Sequence, residues 1–442
     1  MKPKTRTGLP GMSVDDIHRT HYSDQIQDSI VGEEISIAGW IEDVRDIGKV
    51  AFLTVRDIRG AAQVILSNET LKKAIDTPRQ SAVIVSGVVQ HSKSKDFPLE
   101  LKAGKIAIVG EAVHPLPIDP TGRVESSLDK RLDSRALDLR NPKTSSIFLL
   151  RSKVLDNIRM TLRSEGFVEV NTPKIIGSAS EGGANLFAFE YFKKQAYLAQ
   201  SPQLYKEQLV LALDRVFEIA AYFRAENSNT VRHLTEFLSV DIEAAFINYE
   251  DAMDLAEEVI KNVFRLQMAD RKDSDALNDL SKIPIPDSID RLTYEDCVEE
   301  LCKEGEKLEF GDDFTDASLR TLGKLHNGFY FIKDWPLELK PFYIHEKQDS
   351  LKLTESFDLQ YGYLELISGG QRQHDPLKLR KRLIEQGLNP ANFDRHLEVF
   401  GWGMPPHSGW GLGFDRLMMV LTHSDNIRNT VMYPRDPDRL MP

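Results

Sequence analysis

The sequence predicts a multidomain α+β protein in which a small all-β barrel precedes a larger domain of mixed helices and strands. Three observations carry this expectation. Residues 31–112 alternate apolar and polar side chains in short runs broken by Gly or Asp, the period of half-buried antiparallel strands. A proline-rich stretch, "AVHPLPIDPTGRV", follows, and Pro115, Pro117 and Pro120 can continue neither a ladder nor a helix. Beyond it, apolar residues fall at helical spacing and alternate with strand-like runs.

Taken in order, residues 1–17 read as a mobile tail. Lys2, Lys4 and Arg6 are followed by Gly and Pro rather than by an apolar run, which argues against a signal peptide. Between 18 and 112, "EISIAGWIEDV", "VAFLTVRDIRG", "AAQVILS", "QSAVIVSGVVQ" and "LELKAGKIAIVG" give five strands, with "NETLKKAI" as a helical interruption. That pattern predicts an oligonucleotide-binding (OB) fold barrel. Residues 113–140 read as a hinge. From 141 onward, "SIFLLRSKVLDNIRMTLRSEGF" sets Ile147, Leu150, Val154, Ile158 and Leu162 on one helical face, stops at Gly166, and feeds the strand "FVEVNTP", closed by Pro173. "RVFEIAAYFRAE" and "TEFLSVDIEAAF" read as strands, "YEDAMDLAEEVIKNVFRLQ" as a helix, and "YFIKDWP" and "SFDLQYGYLELISGG" as strands again. The charged stretch from about 270 to 330 reads as a small irregular insertion.

Composition narrows the function classes. Two cysteines in 442 residues, Cys297 and Cys302, lie outside any C-x-x-C or Cys/His pattern, which argues against a disulfide framework and a structural zinc site and fits a reducing cytoplasm. No apolar run of about 18 residues predicts a membrane span. A net charge of −12 disfavours non-specific coating of nucleic acid, yet leaves room for a specific RNA held by local basic or aromatic surfaces.

Chemistry concentrates in three places. In "YFRAENSNTVRHLTEF", Arg224, Glu226, Arg232, His233 and Phe237 converge on one hairpin, a set suited to an anionic, planar ligand: guanidinium clamps phosphate and a ring stacks on a base. A salt-bridged surface hairpin explains the same residues equally well. In "PPHSGWGLGFDRLMMVL", Gly409, Gly411 and Gly413 allow close backbone approach, and Arg416 opens a helix whose N-terminus favours anions. No Walker sequence or dinucleotide fingerprint is present. The third place is "AQSPQLYKEQL", with Gln203 and Lys206 just upstream of the hairpin.

In this order, a long helix and strand closed by Pro173, then "FRAE…RHLTEF", then "GLGFDR" resemble motifs 1, 2 and 3 of the class II aminoacyl-tRNA synthetases, over essentially residues 18–442. The preceding barrel resembles that of the compact, archaeal-type members of the aspartyl/asparaginyl/lysyl subgroup. Phe414-Asp415 departs from the Ala-Glu frequent at this point of motif 3. The resemblance implies a class II catalytic domain, an antiparallel sheet flanked by helices, over 141–442, with the barrel reading the anticodon. It also implies ATP as substrate, Mg²⁺ as cofactor, tRNA(Asp) as partner, with tRNA(Asn) as a further partner in some members, and a homodimer built on motif 1.

"QSPQLYK" is similar to the aspartyl signature rather than to the asparaginyl pattern with an acid in place of the lysine. The substrate's side-chain carboxylate needs compensating charge in a water-poor pocket, and Lys206 with Arg372 of "SGGQRQH" supplies it. The resemblance further assigns Glu181, Gln203, Arg224, Asp241 and Ser368 to the amino acid, Glu181 from a closing loop. It assigns Arg224, Glu226, Arg232, His233, Leu234, Phe237, Glu365, Gly413, Phe414, Asp415 and Arg416 to ATP, with Arg224 and Arg416 as the catalytic pair. Glu365 and Ser368, with Asp358 nearby in sequence, are expected at the metal, and Arg45, Phe52, Gln63 and Glu100 at the anticodon. The competing readings are an asparaginyl enzyme on the same fold, a ligase making free asparagine, or an RNA-binding module with a silent catalytic domain. For Phe52, barrel core is the alternative to base stacking.

Overall fold

The structure, a computed structural model, describes residues 18–67, 73–177, 186–227, 230–269, 287–350 and 352–441. The expected tail, Glu181 with its loop, and the start of the expected insertion lie outside these residues. The chain divides after Ser145 into two compact units.

In the first unit, β1 (Glu34–Asp46), β2 (Ala51–Arg56), β3 (Ala61–Leu66), β4 (Ala82–His91) and β5 (Leu99–Gly110) close into a barrel in the order β1-β2-β3-β5-β4. Period-two alternation turns Ile35, Ile37, Leu53, Val55, Val64, Val83, Val85 and Leu101 into its centre. Each such side chain contributes about 1.5–3 kcal/mol on leaving water. The opposite set of side chains faces outward, and Phe52 is among them: Leu53 fills the barrel, while Phe52 is half-buried outside it, between Arg45 on β1 and Ile65 on β3.

The second unit is built on an eight-stranded sheet. Its strands are β6 (Val168–Glu169), β10 (Arg215–Phe223), β11 (Glu236–Ala245), β12 (Asp290–Thr293), β13 (Phe329–Lys333), β14 (Ser356–Tyr361), β15 (Leu364–Gln371) and β16 (His407–Gly413), in the order β12-β13-β14-β15-β16-β11-β10-β6. Only the outermost pairs run parallel; every internal pair is antiparallel. A separate small sheet holds β7 (Ile175–Ile176), β8 (Ala188–Tyr191) and β9 (Lys194–Leu198).

Helices Pro142–Ser164, Tyr249–Ala269 and Phe414–Leu421 share one hydrophobic core with the central strands. Leu150, Val154, Ile158 and Leu162 enter that core from the first helix, as their spacing predicts. Val240, Ile242 and Ala244 of β11 point toward it, which sends Ser239, Asp241 and Glu243 to the other face.

The stretch expected to be irregular is regular from residue 290 onward. β12 joins the main sheet, and helices Tyr294–Lys303 and Asp316–Leu325 close over Tyr294, Cys297, Leu301, Phe314, Leu322 and Trp335. Tyr294, Cys297 and Leu301 fall at i, i+3 and i+7, and Thr293 with Asp296 forms a capping box, so a helix signal was present beneath the high charge. Among the described residues, no helix is long and apolar enough to cross a membrane.

Candidate active site

The polar face of the central strands forms the floor of a cleft of about 440 Å³. Glycine makes the floor possible. Gly409 and Gly411 on β16 stand directly opposite Glu243 and Asp241 on β11. A Cβ at 409 would lie 2.2 Å from the Ile242 carbonyl oxygen and 2.4 Å from Glu243 Oε2; at 411 it would lie 3.1 Å from Asp241 Oδ1. The "GWGLG" repeat therefore clears space for two acidic side chains to lie across bare backbone. We expect Gly409→Ala to destabilise the protein by about 1–3 kcal/mol, the usual cost of overpacking. Urea unfolding checks this, and an unshifted midpoint would show that the floor has slack.

Six described residues expected at the amino acid, Gln203, Lys206, Arg224, Asp241, Ser368 and Arg372, all line this cleft. So do Glu226, Arg232, His233, Leu234, Phe237, Glu365, Gly413, Asp415 and Arg416 of the set expected at ATP. Phe414 does not. As the first residue of its helix it turns into the core, where the Arg151 guanidinium sits 4.7 Å from its ring centroid. Asp415 is committed to the scaffold: its carboxylate accepts from Arg151 Nη1 at 2.5 Å and from the Leu238 backbone N–H at 2.8 Å, bolting the helix to β11.

At one end of the cleft lie Lys206 and Arg372, 3% and 2% exposed. The sequence reading left both cations waiting for a substrate, whereas each already has an acid. Lys206 Nζ donates to Asp241 Oδ1 at 3.0 Å and stands 3.6 Å from Glu243 Oε2. Arg372 grips Glu243 with both arms, Nε to Oε1 at 2.9 Å and Nη2 to Oε2 at 3.1 Å. The physical reason is desolvation: an unpaired buried cation costs several kcal/mol, so the two charges are balanced within the protein. Burial works against the Arg372 charge, and Glu243 outweighs it, holding the guanidinium above its ordinary value. Glu243 was missed at the sequence level. Its signal was its place two residues after Asp241 on a strand, hence on the same face.

At the other end are the free faces of two arginines. The Arg224 guanidinium lies 5.2 Å from the Phe237 ring centroid. Arg416 donates from Nη1 to the Glu365 carbonyl at 2.9 Å and from Nη2 to His233 Nε2 at 3.1 Å. That contact requires a bare Nε2, so the His233 proton sits on Nδ1, 2.6 Å from Thr230 Oγ1. Burial and then the Arg416 charge hold His233 below its usual range, keeping it neutral at pH 7. Arg232 pairs with Asp316 and stacks 5.2 Å from the Tyr363 ring centroid.

Glu365 faces the cleft with its side chain 46% exposed, and the surrounding cleft wall, then Asp358, push its carboxyl up. Asp358 lies across from Ser368 on the neighbouring strand, but it does not line the cleft and is paired with Lys340 Nζ at 2.7 Å. Its buried Oδ1 has no hydrogen-bond partner. Among the described residues no group of three or more His, Cys, Asp or Glu side chains could cage a metal. A divalent cation here would have to be held mostly by ligand oxygens and water, as hard Mg²⁺ sites commonly are.

The barrel presents its own polar surface. Gln63 Nε2 donates to Glu100 Oε2 at 2.7 Å and to Ser92 Oγ at 3.1 Å, and Gln90 Nε2 donates to Glu100 Oε1 at 2.8 Å. Phe52 and Arg45 occupy the adjoining row. A half-buried ring beside amide and carboxylate groups is a combination able to stack on a splayed base and meet its edge.

Comparison with known proteins places this geometry. Residues 127–437 match the family described as tRNA synthetases class II (D, K and N), and residues 35–109 match the OB-fold nucleic acid binding domain. The chain is 40% identical to the aspartate–tRNA(Asp/Asn) ligase of Methanothermobacter thermautotrophicus, covering 98% of this chain and all of that one. It is 43% identical to the aspartate–tRNA(Asp) ligase of Thermoplasma acidophilum, with 95% and 99% covered. Among solved structures, asparaginyl-tRNA synthetase from Pyrococcus horikoshii complexed with asparaginyl-adenylate superposes with a TM-score of 0.90 at 32% identity, covering 96% of this chain and 100% of that one.

Proposed function

The chain belongs to the class II tRNA synthetases of the D, K and N group, and from that premise we propose that it joins L-aspartate to the 3′ end of tRNA(Asp) through an aspartyl-adenylate. One observation carries the choice of amino acid: Lys206 and Arg372 both line the cleft and are both buried. Asp241 and Glu243 already balance their charge, but an ammonium and a guanidinium carry more N–H donors than these bonds use. A side-chain carboxylate offers them two charged acceptor oxygens, while the amide of asparagine offers one neutral oxygen and an NH₂ that meets donors with donors. Sites built for a specific polar partner reject the analogue lacking it by roughly 10⁴–10⁵-fold.

The reaction needs no covalent nucleophile from the protein. The aspartate α-carboxylate attacks the α-phosphorus of ATP in line, pyrophosphate leaves, and the terminal ribose hydroxyl of the tRNA then attacks the acyl carbon. The protein must hold two anions together and absorb the charge that develops on the phosphate. Arg224 takes the α-phosphate and the attacking carboxylate, Arg416 the γ-phosphate, and Phe237 stacks on adenine. Neutral His233 braces Arg416 without adding charge. Mg²⁺, held by Glu365 and Ser368 with Asp358 behind, would neutralise phosphate charge; the orphaned Asp358 Oδ1 supports that fit. Glu181 belongs to the same amino-acid site in this reading.

A homodimer fits the half-exposed apolar side chains Leu149, Met160 and Val168 on the motif 1 helix and the edge strand after it. Two free thiols, one of them exposed, fit a reducing cytoplasm. The asparaginyl reading has one observation in its favour, the close superposition on the Pyrococcus horikoshii structure; against it stand the two buried cations. Relatives named for both tRNA(Asp/Asn) and tRNA(Asp) alone make charging of tRNA(Asn) the open arm of the reading.

Aminoacylation of purified tRNA(Asp) and tRNA(Asn) with labelled aspartate and asparagine tests the whole reading. Aspartyl-tRNA(Asp) is the expected product, and asparaginyl-tRNA alone would overturn it. Phe52→Ala is expected to lower kcat/KM for aminoacylation by about 10–100-fold, the worth of one stacked base, while leaving ATP–pyrophosphate exchange intact. Equal damage to both reactions would remove Phe52 from anticodon reading.

A further inference from the structure

Behind the amino-acid end of the cleft, on helix Gln203–Leu213, lies a carboxylate with no role in the chemistry above. Glu207 is fully buried. Its Oε1 accepts from Gln203 Nε2 at 2.5 Å. Its Oε2 faces His396 Nε2 at 3.3 Å, and His396 Nδ1 lies 3.1 Å from Gln208 Nε2. Burying a lone carboxylate is expensive, so this one has to be held for a reason or balanced by its neighbours.

The donor and acceptor chemistry of this chain allows one consistent direction. An amide NH₂ only donates, so Gln208 makes His396 Nδ1 an acceptor and leaves the imidazole proton on Nε2, which lies 3.3 Å from Glu207 Oε2 without completing a hydrogen bond to it. A carboxylate only accepts, so Glu207 draws the NH₂ of Gln203 toward itself. The carbonyl oxygen is then the polar end that Gln203 keeps for the cleft it lines. Burial opposes the Glu207 charge, but His396 and the nearby Arg372 hold its carboxyl below the usual range, so it stays an acceptor.

We propose that Glu207, with His396 beside its other oxygen, is a positioning residue that fixes the Gln203 amide with its carbonyl toward the substrate's α-ammonium. The remaining groups at that end fit the division of labour. Lys206 and Arg372 are donors and serve carboxylates, while an ammonium needs acceptors, which Gln203 Oε1 and Asp241 supply. A freely flipping Gln203 would present a donor to the ammonium half the time and lose the distinction. The inference rests on the aspartate reading above.

The test is ATP–pyrophosphate exchange by full-length Glu207→Gln, read against succinate, the dicarboxylate that lacks the ammonium. Wild type must first show exchange with L-aspartate; failure there overturns the functional reading and not this relay alone. In Glu207→Gln the residue at 207 can donate or accept, so Gln203 is released. The KM for L-aspartate is expected to rise about 10–100-fold, the loss of one hydrogen bond to a charged group. The KM for ATP and the Ki of succinate should stay within about two-fold. Parallel rises for aspartate and succinate would mean that Glu207 acts through Arg372 or through packing, and would overturn the proposal. Should Glu207→Gln fail to fold, His396→Gln is read against succinate in the same way. Adding Glu207→Gln to Gln203→Met should leave the aspartate KM within about two-fold of the single variant, and independent, additive losses would contradict the relay.

Discussion

An Arg224→Ala variant is expected to lose about 10²–10³-fold in kcat for ATP–pyrophosphate exchange, with a much smaller change in the KM for L-aspartate. The magnitude is that of removing one preorganised donor from a developing negative charge in a site that excludes water. Arg224 lines the cleft with its guanidinium over Phe237, already oriented before any ligand arrives. Because the interaction strengthens as charge develops on the phosphate, the loss should appear in kcat and kcat/KM together. Lysine is not expected to rescue it, since one ammonium cannot reproduce the planar fork that meets phosphate and carboxylate at once. A variant that kept kcat but raised the KM for ATP would recast Arg224 as a ground-state binder.

The second large effect is expected from Lys206→Met, a near-isosteric loss of charge. Lys206 is the partner of Asp241 and a neighbour of Glu243, both buried, so its removal strands negative charge at the place where aspartate must bring more. Breaking a buried pair by deleting one partner costs about 3–5 kcal/mol, and the same magnitude in aspartate binding corresponds to roughly 10²–10⁴-fold in kcat/KM. The KM for ATP should move little, because the arginines of the phosphate end are not partners of Lys206. A uniform loss for both substrates would show that the substitution had collapsed the cleft rather than altered its charge.

How far the sequence carried the structure differed from element to element. The barrel strands and the helix bearing Val154, Ile158 and Leu162 were legible because one face of each meets a core and the periodicity survives in the primary structure. The helices from Tyr294 to Leu325 were harder to read because they are short and highly charged, and their small core draws on Phe314, Tyr330 and Trp335, which lie outside both helices. Within the cleft, residues carried by motifs could be named in advance. What the sequence concealed was their pairing. Glu243 had no motif of its own, and that it balances Arg372 depends on two positions 129 apart in the chain returning to one floor. Phe414 shows the converse: a position inside a motif was expected at the ligand, and its side chain, on the first residue of a helix packed on a sheet, is claimed by the core.

Glycine tells the same story from the other side. Gly409 and Gly411 could be read as permitting close approach, but only the register of β16 against β11 reveals that the approaching groups are the carboxylates of Glu243 and Asp241. The repeat is therefore part of the electrostatics of the site, since it lets two acids reach the two buried cations.

The most direct measurement is ATP–pyrophosphate exchange by the unaltered protein with L-aspartate and L-asparagine compared side by side. A pocket in which Lys206 and Arg372 are poised for a second carboxylate predicts a kcat/KM for aspartate at least about 10³-fold above that for asparagine. Exchange supported equally well by asparagine, or better, would contradict it.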